Sequence, residues 1–296
     1  SVNPSGKTVD TFVKDLTETP YYNNMGLNAY TNVEDLKEQI AANDPAYEGS
    51  MGFVNYAEGI YVGYKFYETA AEEGLMVQYP FGYGLSYTTF DKQIENFKDN
   101  GDTVTFDVTV ENTGSVAGKD VVEIYYTAPY TNGGIEKAAA NLIAFEKTDS
   151  IEPGESQTKS FTINKEDMAS YDSEGIKISG GGYILEAGEY TISLRSDSHT
   201  VLGEEKFTVD EDIDYSKDGR SSDKTVATNQ FEDYARGDFE QLSREDGFAN
   251  YDKACGVPEE DAYVMSDETR AAVEENVFGI YDGTKYNNDS DEMPEM

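Results

Sequence analysis

A chain of 296 residues has room for two domains, but 38% apolar content and a mean hydropathy of -0.64 are lean for a chain that buries all it has. Fifty-nine acidic against twenty-two basic residues give a formal charge of -37, which repels phosphate backbones and anionic lipid, so no nucleic acid and no membrane is expected as a partner. One cysteine, Cys255, and one histidine, His199, exclude a disulfide framework, a cysteine-based zinc site and most triad, haem and imidazole-metal chemistry, leaving carboxylates as the reactive groups.

Residues 1–90 mix helix and turn signals. Thr31-Asn32-Val33-Glu34 reads as a capping box opening a helix with Val33, Leu36 and Ile40 on one face, and a second helical stretch follows Asn55. At most one or two strands are expected here, too few to close a sheet, so the region reads as the incomplete C-terminal part of an α/β domain with an apolar face lacking a partner. The start, Ser1-Val2-Asn3-Pro4, shows neither an initiator Met nor a signal-peptide core, and the chain reads as cut from a longer one. Its localisation, cytoplasmic or secreted, is not legible.

From residue 91 to 209 the period changes to two. Val104, Phe106, Val108 and Val110 alternate with polar residues, as do Ile192 and Leu194 after Tyr190, and similar alternation occurs at Val122, Ile124 and Tyr126, at Phe161 and Ile163, and at Phe207 and Val209. With turns at Asn112-Thr113-Gly114, Glu152-Pro153-Gly154-Glu155 and Ala187-Gly188, about seven short strands are expected, an immunoglobulin-like or fibronectin type III-like β-sandwich. Val104, Phe106, Val108, Val110, Ile124, Phe161, Ile192 and Leu194 should face inward. The fold class expected for the whole is therefore mainly β.

Residues 210–296 read as an acidic, largely irregular linker, with 211–235 the segment most open to proteolysis. Two patches interrupt it: Phe239 to Tyr251, which carries aromatics, and a short helix capped by Ser266, with Asp267 and Glu268 in its first turn and Val273 and Val277 behind.

No residue stands out as catalytic, cofactor-binding or metal-ligating. The alternating acids at 210–214 resemble the opening of a calcium loop, but Tyr215 stands where its glycine belongs and Ser221 where its bidentate glutamate belongs, so a solvated linker is the better reading. Gly180-Gly181-Gly182 lacks a P-loop lysine and a following helix, which leaves a turn or bulge. His199, in the polar run 196–200 between two strands, reads as a surface hairpin residue. Cys255 has acidic neighbours that disfavour a thiolate. Asn288-Asp289-Ser290 fits the glycosylation triplet without deciding anything. Tyrosine is plentiful, with 23 residues and no Trp, and the cluster Tyr56, Tyr61, Tyr64 and Tyr67 suits interdomain packing. Tyr79 to Phe90, two glycines and a proline among aromatics, reads as a bent domain junction.

That junction, in its stretch Pro80 to Thr89, resembles a signature of glycoside hydrolase family 3, the β-glucosidases and their relatives. Three further runs fall in the family's order: Asn3-Pro4-Ser5-Gly6-Lys7; Tyr56 to Lys65; and Val110 to Gly118 followed by Val121 to Tyr126. Lys65 stands where the family more often has Arg, which keeps the charge and loses the planar fork. Tyr130 to Lys137 resembles a sandwich loop, and Leu242 to Tyr251 the lead-in to a catalytic barrel, of members with reversed domain order.

The resemblance implies a parent that is a retaining glycosidase, most simply a β-glucosidase acting on a β-glucoside or oligosaccharide through two carboxylates. It implies no cofactor. Neither the barrel aspartate nor the acid/base glutamate of the family has a counterpart in this sequence, and Glu58 matches a different motif and takes a structural role. The chain is then expected to be inactive alone, its partners being the missing barrel and α/β regions. The competing reading is a stand-alone sandwich module that binds glycan or protein.

Overall fold

The computed structural model describes residues 3–26, 28–43, 51–70, 77–228 and 240–279. Among the described residues before Phe90 the strands are four, not one or two: β1 (Phe12–Val13), β2 (Asn28–Ala29), β3 (Gly52–Phe53) and β4 (Val77–Tyr79), paired antiparallel as β1 with β4 and β2 with β3. Two or three residues each cannot make a sheet core. Helix α1 (Glu34–Asn43) begins where the sequence places it, with Val33 and Leu36 fully buried. The capping box does not form. Thr31 and Asn32 spend their side chains on the main chain of Tyr263 and Met265 instead of on the helix amides. Helix α2 (Tyr64–Ala70) starts late because Gly59 and Gly63 sit at left-handed φ, which holds residues 56–63 in turns.

The sandwich is built from β5 (Phe90–Asp99), β6 (Thr103–Asn112), β7 (Val121–Thr127), β8 (Asn141–Lys147), β9 (Ser156–Asn164), β10 (Ser170–Asp172), β11 (Gly182–Leu185), β12 (Gly188–Arg195) and β13 (Val201–Val209). One sheet has the order β5-β6-β9, the other β13-β12-β7-β8, all antiparallel. Strict alternation along β6 puts Val104, Phe106, Val108 and Val110 into the core, opposite Ile124, Ile192 and Leu194. The inward set matches the sequence expectation, Phe161 included. Phe106 lies between the rings of Phe97 and Phe161 at 6.1 and 5.4 Å.

Strand β7 departs from alternation, with Val122 to Tyr125 all buried. As a central strand it is covered on its second face by the junction and α2, so its polar Glu123 is enclosed as well.

Beyond Val209 the chain stays largely irregular and exposed, with a few anchors on the sandwich. Strand β14 (Ile213–Asp214) adds to β11 in a small sheet with β10. Asp212 accepts from the Ala187 amide at 2.8 Å and pairs with Lys177 at 2.7 Å. Arg220 pairs with Asp223 and lies 3.8 Å over the Tyr183 ring. Residues 210–214 are all exposed, as a solvated linker would be, and Asp212 alone among their acids is shown pinned to the flank of the sandwich. Helices α3 (Tyr251–Ala254) and α4 (Asp267–Gly279) follow in the last described stretch. Phe239, residues 229–235, the side chain of Val277 and the Asn288 triplet lie outside the described residues. No helix among them is long and apolar enough to cross a membrane.

Candidate functional site: the interdomain joint

The four sequence runs singled out above meet in one place, where residues 3–90 join the sandwich. Asn3 bridges two of them: its Oδ1 accepts from the Tyr87 amide at 2.8 Å and the Ser86 hydroxyl, and its Nδ2 donates to the Ala117 carbonyl. Thr8 and residues 80–83 exchange main-chain hydrogen bonds. Lys7 donates to the Ser196 carbonyl at 3.0 Å, which draws the β12–β13 hairpin into the joint. Thr88 donates to Asn112 Oδ1 at 2.7 Å, and Asn112 Nδ2 donates to the carbonyls of Val116 and Ile151. A side chain on Gly114 would strike Thr88, and one on Gly84 would strike the Gly6 carbonyl, which is why these positions lack one.

Tyr64 carries the second run into the joint. Its ring packs 4.9 Å from Phe81 and 5.9 Å from Tyr125, and its hydroxyl oxygen accepts from the Leu142 amide at 2.9 Å. Lys65, next to it, is half-buried and lines a cleft of about 450 Å³ with Tyr126, Asn141, Thr162 and Asp167. Burial lowers its pKa.

Three carboxylates that sequence reasoning missed anchor the joint. Glu123, only 3% exposed, accepts from the Tyr125 hydroxyl at 2.8 Å and lies directly under Gly82. Burial pushes its pKa up to about 7, against the Tyr125 hydrogen bond and the charges of Lys7 and Lys92, and with the help of Asp197. Glu68 on α2 accepts from the Ser198 hydroxyl at 2.9 Å and faces His199 Nδ1 at 3.0 Å. His199 is thus a largely exposed hairpin residue that helps dock the hairpin on α2. Glu136 accepts from the Tyr61 hydroxyl, the Ser243 hydroxyl and the Arg244 amide. The one available signal for Glu136 was its place in the run Tyr130 to Lys137; for Glu123 it was an acid between two core residues of a strand.

The remaining candidates take structural places. Glu58 is half-buried, with its pKa raised by burial, and its carbonyl accepts from the Tyr61 amide. Cys255 is buried, and burial, with Glu58 adding to it, pushes the thiol up to about 12; desolvation, rather than the sequence-adjacent acids, is the main cause. Gly180 and Gly181 are turn residues at left-handed φ. The described residues hold no group of three or more His, Cys, Asp or Glu suited to a metal ion. The site is a joint that fixes one folded unit against another.

Residues 120–198 match the fibronectin type III-like domain family. Over 208 residues the chain is 38% identical to β-glucosidase A of Butyrivibrio fibrisolvens, covering 65% of this chain and 22% of that protein. The structure of β-glucosidase 3B from Thermotoga neapolitana in complex with glucose superposes with a TM-score of 0.58 at 34% identity, over 72% of this chain and 25% of that one. The Bifidobacterium adolescentis GH3 β-glucosidase superposes with a TM-score of 0.53 at 26% identity, over 71% and 26%. The class these comparisons define is a chain built around a fibronectin type III-like sandwich and similar over most of its length to part of β-glucosidases. The matches support a fragment of glycoside hydrolase family 3 that includes the fibronectin type III-like domain. It spans about a quarter or less of the length of these relatives.

Proposed function

We propose that the chain is the non-catalytic portion of a retaining β-glucosidase, whose substrate is a β-glucoside or oligosaccharide. The observation that carries this reading is the convergence of the four runs on one joint. A free-standing adhesion module has no use for residues 3–70 docked through Asn3, Tyr64 and the 79–90 junction, whereas a glycosidase must hold its sandwich rigidly against its α/β domain. Retaining hydrolysis uses one carboxylate as nucleophile and a second as acid and base, about 5–5.5 Å apart across the glycosidic bond. In this reading both belong to parts of the parent outside these residues, and the joint holds those parts in register, which is where small displacements become large losses of rate.

The test is expression of the longer reading frame that contains this sequence, assayed with nitrophenyl β- and α-glucosides. Turnover of the β-anomer with retention at the anomeric carbon is expected. A longer protein that binds glycan and hydrolyses no β-glycoside would contradict the reading.

A further inference from the structure

Residues 240–279 lie across the rest of the molecule as a strap with two anchors. At the first, Leu242, Phe248, Ala254 and Cys255 are buried among Ala57, Tyr61, Phe66, Tyr67, Ala70 and Ala138. At the second, Met265 is buried with Val33 and Leu36, Asn32 holds both the amide and the carbonyl of Met265, and Arg270 pairs with Asp35. Between 228 and 240 the chain lies outside the described residues, so these contacts, and not a continuous element, define the strap.

We propose that the groove under the first anchor is a peptide-recognition site, and that the Ser-Arg-Glu-Asp-Gly-Phe run at 243–248 is its ligand, able to bind without a covalent tether. The receptor side makes polar or ring contacts with four of the six residues, Ser243, Arg244, Asp246 and Phe248. Glu136 takes the Ser243 hydroxyl and the Arg244 amide. Arg244 lies 4.3 Å over the Tyr130 ring and donates to the Lys137 carbonyl at 3.0 Å. Asn132 holds Asp246 twice, Nδ2 to the carboxylate at 2.8 Å and Oδ1 from the amide at 2.9 Å. Phe248 meets Tyr61 and Phe66 edge-on at 4.9 and 5.2 Å.

Two further observations point to recognition rather than incidental packing. The receptor loop is fixed independently of the strap, because buried Lys137 donates to the Pro129 carbonyl at 2.7 Å and pairs with Glu186 in the turn between β11 and β12. The ligand is the strained partner: Asp246, Gly247 and Phe248 are consecutive residues at φ 50, 70 and 62, a conformation that non-glycine residues hold only when contacts over-determine it. The groove holds this turn from both ends, through Asn132 on Asp246 and through Tyr61 and Phe66 on Phe248.

The experiment uses the full chain with a site-specific protease sequence placed within 229–239. After cleavage the two pieces should co-elute on size exclusion, and an excess of fluorescein-labelled peptide 240–279 should exchange into the complex, read by anisotropy. Before cleavage exchange should be slow, since a short tether supplies a millimolar effective concentration. Glu136→Gln should weaken peptide binding about tenfold or more. Asn132→Ala, at an exposed rim position that leaves the sandwich intact, should weaken it several-fold. Near-ultraviolet circular dichroism of the tyrosines checks that each variant remains folded. Separation of the pieces on cleavage, co-elution without exchange, or unchanged affinity in both variants would overturn the proposal. So would elution of the uncleaved chain at twice its mass, which would seat the strap on a second copy.

Discussion

Gly82 covers the carboxylate of Glu123 so closely that a Cβ on Gly82 would occupy the space of its oxygens, and the backbone there stands at φ 81. Both facts act in the same direction. Gly82→Ala should destabilise the joint by roughly 1–3 kcal/mol, from left-handed strain and from displacing a buried group. Denaturant titration read by tyrosine fluorescence checks this; an unchanged midpoint would mean that the junction is not seated on β7.

Glu123 also makes a pH-dependent contribution of known sign. Its folded pKa, about 7, lies above the ordinary glutamate value of 4.5 because burial disfavours the charged form. Below pH 4.5 both folded and unfolded chains hold the proton; between 4.5 and 7 the unfolded chain loses it first, so stability falls as pH rises. Glu123→Gln removes this dependence. The stability difference between variant and wild type should shift in favour of the variant from pH 5 to pH 8, by on the order of 2–3 kcal/mol for so buried a group. A pH-independent difference would show that Glu123 stays ionised.

Phe106 is 2% exposed at the centre of the sandwich. Phe106→Ala should cost roughly 3–5 kcal/mol, as deletion of a buried ring does. Equilibrium unfolding in urea measures it, and a loss below 1 kcal/mol would put the ring outside the cooperative core.

Cys255 reports on the strap. Its thiol is buried and shifted up to about 12, so the native chain should react with a thiol reagent only through opening of residues 240–279. Labelling should be slow in the wild type and at least several-fold faster in Glu136→Ala. Equal rates would remove Glu136 as an anchor.

The sandwich was legible because one face of β6 and of β9 is more buried than the other, and such strands write their register into the sequence. Strand β5 was missed since a bulge at Asn96, φ 55, breaks its alternation, and Lys92 points inward to reach Asp120 and the Val121 carbonyl. The joint was half legible. Asn3 and Pro80 to Thr89 stood out as runs, but Asn3 bonds Ala117, 114 positions away, and nothing local encodes such a contact. Thr31 and Asn32 marked the start of α1 correctly, but their side chains serve contacts with 263–265 in place of the capping box. The apolar residues of 1–90 were expected to lack a partner. Part of that surface is covered by 240–279, while Val9, Phe12, Leu16, Met25, Tyr56 and Val62 remain exposed.

The central claim, that this chain supplies the frame and not the chemistry of a β-glucosidase, is tested most directly by release of nitrophenol from a nitrophenyl β-glucoside by the purified chain. No rate above the uncatalysed background is expected, because removal of both reacting carboxylates costs many orders of magnitude. Turnover that survives repurification and is abolished by changing a carboxylate such as Glu58 would contradict the claim and place a reaction centre within these residues.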